Sequence, residues 1–236
     1  METALHYIMS YIGGFLGVYT ILLRGGNFGS AQTGNLIYLA TGWFGGSWQE
    51  MVIRIIALII FIISMIAAYL LPKYVKGDMR RICIWVEITG IVLAGFLPED
   101  MNNILALYPI FAITAFQWGV FAGARGYSSA TTFSTNNLKQ MVLSIADYIQ
   151  TKDAKQKEKA GFYGITLMSF QIGVLGGFFA VNEWQVAGIW SCLIPLGLAL
   201  TLVEVDVARK TQAKVVAHRT CSLRTDETEN LNITAN

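Results

Sequence analysis

The chain has 236 residues, 54% of them hydrophobic and only 14% charged, and its mean hydropathy is +0.51. A soluble domain carries about 25% charged residues, so the composition points to an integral membrane protein. A net charge of +2 argues against nucleic-acid binding, and two histidines near opposite ends with three cysteines argue against a metal site, a Ser-His-Asp triad or a disulfide framework.

In chain order, the first apolar run, Leu5 to Leu23, is long enough to cross a bilayer, which takes about 20 helical residues. Its start, Met1-Glu2-Thr3-Ala4-Leu5, lacks the basic residues of a secretory signal, so the run is expected to stay as an anchor. Arg24 and Gly25-Gly26 end it. A polar stretch follows, Asn27-Phe28-Gly29-Ser30-Ala31-Gln32-Thr33-Gly34-Asn35-Leu36. A helix from Thr33 to the boundary at Gly45-Gly46, about 12 residues and ~18 Å, is too short to span. Met51 to Leu71 is the strongest transmembrane candidate, closed by Pro72 and the basic loop Lys73, Lys76, Arg80 and Arg81. Ile82 to Leu97 is interrupted by Glu87 and ends at the acidic turn Pro98-Glu99-Asp100.

Ile104 to Ala124 is a further span, carrying Gln117 and ending at Arg125. A second polar stretch comes next, Ala130-Thr131-Thr132-Phe133-Ser134-Thr135-Asn136-Asn137-Leu138, and then a short amphipathic helix, Leu138 to Ile149. A lysine-rich loop over 151–159 leads to a span from Gly161 to Val181 that contains Gln171. The last span runs from Val186 to about Val203, with a kink expected at Pro195. The polar remainder reads as a disordered tail, and its sequon, Asn232-Ile233-Thr234, matches by chance. Residues 1–206 are thus one transmembrane domain, with 207–236 as tail.

The two polar stretches align, Thr33-Gly34-Asn35-Leu36 with Thr135-Asn136-Asn137-Leu138, and Gly17 and Gly119 stand equally far upstream. The chain therefore reads as two repeats, about 5–97 and 104–205. Basic loops favour the cytoplasmic side. Loops 73–81 and 151–159 lie on one side only if the weak segment between them dips in and returns. Applied to both repeats, this gives six crossings, two short re-entrant helices and both ends in the cytoplasm. Three crossings per repeat is odd, so the repeats are inverted, a construction used by transporters and some channels.

Irregular backbone at membrane depth survives only where protein or a water-filled cavity satisfies it. Thr33, Asn35, Thr135 and Asn137 stand where each half-helix begins and are expected to cap it. Two partly positive helix ends facing one cavity favour a small polar or anionic solute. The expected pathway residues are Gln32, Thr33, Gly34, Asn35, Thr132, Thr135, Asn136 and Asn137. The bland alternative is that they are polar glue between helices. Glu87 either carries a coupling proton, pairs with Arg125, or lies hydrated near its span's end. Arg24 and Arg54 read as snorkelling residues near span ends. Gln117 and Gln171 read as interhelical hydrogen-bonding residues, with pore lining as the second choice.

On Gly13-Gly14-Phe15-Leu16-Gly17, the two polar stretches, and Gln117-Trp118-Gly119 with Ala124-Arg125, the chain resembles the YoaK family of bacterial polytopic membrane proteins, a domain of unknown function. The resemblance covers about residues 5–205 and implies a bacterial inner or plasma membrane. It brings no substrate. Gly17 departs from the family pattern, which often has an acidic residue there, and Asn136 departs from a Thr-Gly-Asn pattern.

The reading is an all-α membrane protein of six spans and two re-entrant helices in inverted repeats. It is expected to be a transporter or facilitator for a small polar or anionic solute in a lipid bilayer, with no cofactor and no enzymatic activity, and a homo-oligomer is compatible with it. The alternative is a non-transporting membrane scaffold.

Overall fold

The computed structural model describes residues 1–234, with side chains described as far as residue 213. The described residues form eight α-helices: α1 (Glu2–Leu23), α2 (Thr33–Gly42), α3 (Trp48–Tyr74), α4 (Met79–Gly95), α5 (Tyr108–Val120), α6 (Thr135–Thr151), α7 (Ala154–Trp184) and α8 (Leu193–Thr234). Two-residue strands, β1 (Gly123–Ala124) and β2 (Tyr127–Ser128), pair antiparallel between α5 and α6. Nothing in the apolar patterning announces this hairpin.

Among the described residues, three stretches are long and apolar enough to cross a membrane: α1, α3, and Ala154–Ala213, which takes in α7 and the start of α8. Of its apolar window α1 buries 67%, against 22% for α3. So α1 is the central helix, and α3 turns Ile55, Ile59, Ile62 and Ile66 outward. An apolar row of that length on the surface of a water-soluble protein would drive aggregation; in a membrane it meets lipid tails.

Glycines set how closely the central helices approach. A Cβ on Gly14 would lie 2.0 Å from the carbonyl oxygen of Phe170, and one on Gly173 would lie 1.9 Å from that of Tyr11. The α1 and α7 backbones touch there, as small residues permit in lipid. The other helices follow an exchange of partners. α1 packs along α7 and α5 along α3; α8 packs on α1 and α4 on α5; α6 lies on α7 and α2 on α3.

Several boundaries move. α5 is a helix of 13 residues preceded by a 3-10 turn, Leu105–Leu107, and it ends at Val120, short of the expected Ala124. The lysine-rich loop is largely helical, because Asp153 caps α7 by accepting from the Lys155 amide, and α7 reaches Trp184. Gln185–Cys192 is 3-10 helix, so the run expected from Val186 to about Val203 becomes α-helical only at Leu193. Pro195 falls in the first turn of α8, where its missing N–H costs nothing, so it does not kink a span. Pro72 sits inside the last turns of α3 without ending it. The sequon and most of the expected tail lie outside the residues whose side chains are described.

Candidate functional site

The first polar stretch reverses the chain at the end of α1. Gly25 and Gly26 take left-handed φ values of 62° and 76°, which only glycine adopts cheaply. Arg24 is buried rather than snorkelling, and its Nη1 donates to the carbonyls of Pro98 and Glu99 at 3.0 and 3.2 Å. The chain then runs back down the helix it has just left. The Gly29 amide donates to Thr20 Oγ1 at 3.0 Å, and Phe28 lies on Gly17, where a Cβ would come within 2.8 Å of its ring. Thr114 of α5 holds the Gly29 carbonyl from the other side at 3.0 Å. α2 leaves from this depth. Asn35 in its first turn meets Arg54 in α3, whereas Gly42 at its end meets Met51 near the start of α3.

The second stretch does the same from the other end of α1. Arg125 and Gly126, with φ of 57° and 79°, form the two-residue turn of the β hairpin, and a type I′ turn needs both positive. Arg125 is secured there by an ion pair with Glu158 of α7. Beyond the hairpin the chain descends along α1. Ser129 Oγ lies 3.0 Å from His6 Nε2, and a Cβ on Gly13 would lie 2.0 Å from the Thr131 carbonyl oxygen. Gln117 of α5 donates to the Met9 carbonyl at 2.9 Å and to Thr131 Oγ1 at 3.1 Å.

Both stretches therefore lie between α1 and α5. The first meets α1 at Gly17 and Thr20, and the second at Gly13, with Ser129 just ahead of it at His6. Gly13 and Gly17 are one helical turn apart, about 6 Å at ~1.5 Å per residue. On α5 the order is opposite, Thr114 with the first and Gln117 with the second, so α1 and α5 run antiparallel.

The two asparagines are used differently. Asn137 is closed: its Oδ1 accepts from Ser129 Oγ at 3.0 Å and its Nδ2 donates to the Ala130 carbonyl at 2.7 Å. Since Ser129 spends its proton on Asn137, His6 donates to Ser129 from Nε2, which leaves His6 Nδ1 buried without a partner among the described residues. Asn35 is open. Its Nδ2 donates to Gln32 Oε1 at 2.9 Å, and its Oδ1 accepts from Arg54 Nη1 at 2.8 Å. Arg54 is not snorkelling. Its side chain is 12% exposed, its guanidinium lies 4.1 Å from the centre of the Tyr38 ring, and its Nε is 3.8 Å from a Glu50 oxygen.

Two adjoining cavities open on this group. One, of about 290 Å³, is lined in part by Thr33, Gly34, Asn35 and Tyr38. The other, of about 190 Å³, is lined by Asn27, Tyr38, Glu50, Arg54, Asn102 and Asn103, with Gly25 and Ile104.

A family model described as a protein of unknown function, DUF1275, matches residues 5–203. The chain belongs to the DUF1275 family. No curated protein and no solved structure matches it.

The remaining expected site residues of this DUF1275 chain are placed as follows. Neither α2 nor α6 is capped by a side chain: Thr33 and Asn35, like Thr135 and Asn137, stand inside the first turn, behind Gln32 and Ser134. The expected capping role is thus replaced by helix-to-loop and helix-to-helix bonds. Thr135 and Asn136 are exposed, while Thr132 is fully buried with its hydroxyl unpartnered among the described residues. Glu87 and Arg125 do not pair. Glu87 is buried in α4 and accepts from Cys83 Sγ at 3.4 Å, with its second oxygen unpartnered among the described residues. It is therefore not hydrated at a span's end. Gln171 is exposed on α7 rather than bonded between helices. Sequence reasoning missed Arg54 and His6 as site residues. The signal for Arg54 was there, a cation six residues into an otherwise apolar helix that begins at Trp48.

Proposed function

We propose that the chain carries a small polar or anionic solute across a bacterial cell membrane, with six crossings, two re-entrant helices in inverted repeats, and both termini in the cytoplasm. The observation that carries this reading is the meeting of two irregular polar segments. They approach from opposite ends of α1 to within about one helical turn of each other, between α1 and an antiparallel α5. Broken helices meeting near the midplane of two repeats are a construction that transporters use for their sites. The exchanged packing, α1 on α7 and α5 on α3, supports two repeats related by a twofold axis. Arg54 and the start of α2 give the outer approach a positive character. Glu87 is the candidate for a coupled proton, since a carboxylate wholly inside a membrane helix is costly unless it serves function.

The scaffold reading has one observation in its favour. Asn137 has both ends of its amide bonded within its own loop, as a lock would. The discriminating variant is therefore at Gly34, where a side chain meets nothing within 4 Å and would project into the larger cavity. In proteoliposomes screened with small anions and neutral polar solutes, Gly34→Leu is expected to cut flux at least tenfold with an unchanged unfolding temperature. Undiminished flux in Gly34→Leu contradicts the pathway, and absence of flux for every solute in the native chain favours the scaffold.

A further inference from the structure

We infer that the outer vestibule is a carboxylate site, with Arg54 as the group that grips the ligand; this rests on the transport reading and names its substrate class. The guanidinium of Arg54 has two edges. Nη1 is taken by Asn35 Oδ1 at 2.8 Å. The other edge, Nε with Nη2, has no acceptor within hydrogen-bond distance among the described residues, since the Glu50 oxygen nearest to Nε stands 3.8 Å away. That edge is a pair of parallel N–H donors, the fork that matches a carboxylate in two hydrogen bonds.

Three surroundings fit a small carboxylate rather than a bulkier or more highly charged anion. The cavity at Arg54 holds about 190 Å³, less than the adjoining cavity of about 290 Å³, which suits a small ligand. A single guanidinium balances one negative charge and not two, and it does so for a ligand only when Glu50, 3.8 Å from Nε, yields its place. Asn27, Asn102 and Asn103 line the rest of the wall and offer amide groups to a hydroxyl or carbonyl substituent. The first-turn residues Thr33, Gly34 and Asn35 line the adjoining cavity, so the positive end of α2 lies on the inward path.

Glu50 is then the resident competitor. Its carboxylate is held off the fork by Asn102 Nδ2, which donates to Oε1 at 2.9 Å, and it lies 3.8 Å from Arg54 Nε through Oε2. A solute carboxylate displaces this loose partner and takes the closer place. Removing the charge at Glu50 should therefore tighten binding, whereas a purely structural Glu50–Arg54 contact would give no gain.

The test is calorimetric titration of the purified full chain in lipid nanodiscs with acetate, acetamide and inorganic phosphate. Acetate is expected to bind and acetamide not. Arg54→Gln should weaken acetate at least tenfold, Arg54→Lys should weaken it severalfold because an ammonium lacks the fork, and Glu50→Gln should tighten it severalfold. If Arg54→Gln fails to fold, the Lys and Glu50 variants decide. Acetate binding unchanged in Arg54→Lys and not tightened in Glu50→Gln, equal binding of acetamide, or binding of phosphate in place of acetate each overturns the site. Arg54-dependent acetate binding without flux in proteoliposomes overturns the transport reading and leaves the site standing.

Discussion

Residues of one type in matched positions do different work here. Asn35 and Asn137 align in sequence, yet one reaches across to Arg54 and the other closes on its own loop. The sequence marked both positions, because polar side chains at helix starts inside an apolar chain are conspicuous. It could not assign partners, because those come from residues far away in the chain. The glycines divide in the same way. Gly13 faces the Thr131 carbonyl at a distance that leaves no room for a Cβ, whereas Gly34 faces open space. Gly13→Ala is expected to destabilise the fold by about 1–3 kcal/mol or more, the range for forcing an added carbon into a packed interior. Gly34→Ala should leave stability unchanged or raise it by up to ~1 kcal/mol through helix propensity. Thermal unfolding of the two variants in one detergent checks both. Equal melting temperatures would mean that the second polar stretch does not lie against α1.

At the scale of elements, apolar length located the helices well and their ends less well. α1 and α3 contain their apolar runs and extend them by three residues, α1 at its start and α3 at both ends. α5 does not, because an apolar stretch looks the same whether its last residues are helical or turn away as Phe121 to Ala124 do. α7 gained two turns from a lysine-rich segment because charged residues are good helix formers once Asp153 caps them. α4 and α8 are tied beyond their apolar parts by a charge cluster. Arg80 bonds Asp78 and reaches Asp206 at 2.8 Å, and Lys210 reaches Asp206 at the same distance. Hydrogen bonds from Arg80 hold the Asp78 carboxyl below its ordinary range, and those from Lys210 and Arg80 bring Asp206 down to about 2. Carboxylates so depressed stabilise the fold fully above the unfolded value of 3.8, and they lose that contribution as pH falls towards about 2. Arg80→Ala should therefore melt below the native chain at pH 7, with the gap closing between pH 4 and pH 2. A gap that persists unchanged at pH 2.5 would mean that the cluster does not link the two helices.

For the whole molecule, the alignment of the two polar stretches and charge parity propose a two-repeat plan, and the packing of α1 on α7 and α5 on α3 supports it. What the sequence lacked was the closing relation, that both stretches meet α1 and α5 on opposite sides of one helical turn. That relation depends on backbone approach at glycines such as Gly13, and a missing side chain does not announce what fills its space. Arg54 was misplaced as well: its position near a span end suggested snorkelling, but its side chain turns inward to Asn35. The central claim is that both polar segments enter the membrane and leave on the side from which they came. Its most direct measurement is thiol labelling of intact cells with a membrane-impermeant reagent, in a chain freed of Cys83, Cys192 and Cys221. Single cysteines at Ser128 and Lys157 flank α6, and single cysteines at Gly26 and Ser47 flank α2. Protection of Ser128→Cys and Lys157→Cys, with labelling of Gly26→Cys and Ser47→Cys, is the predicted result. Opposite labelling within either pair would make that short helix a full crossing and would contradict the re-entrant account.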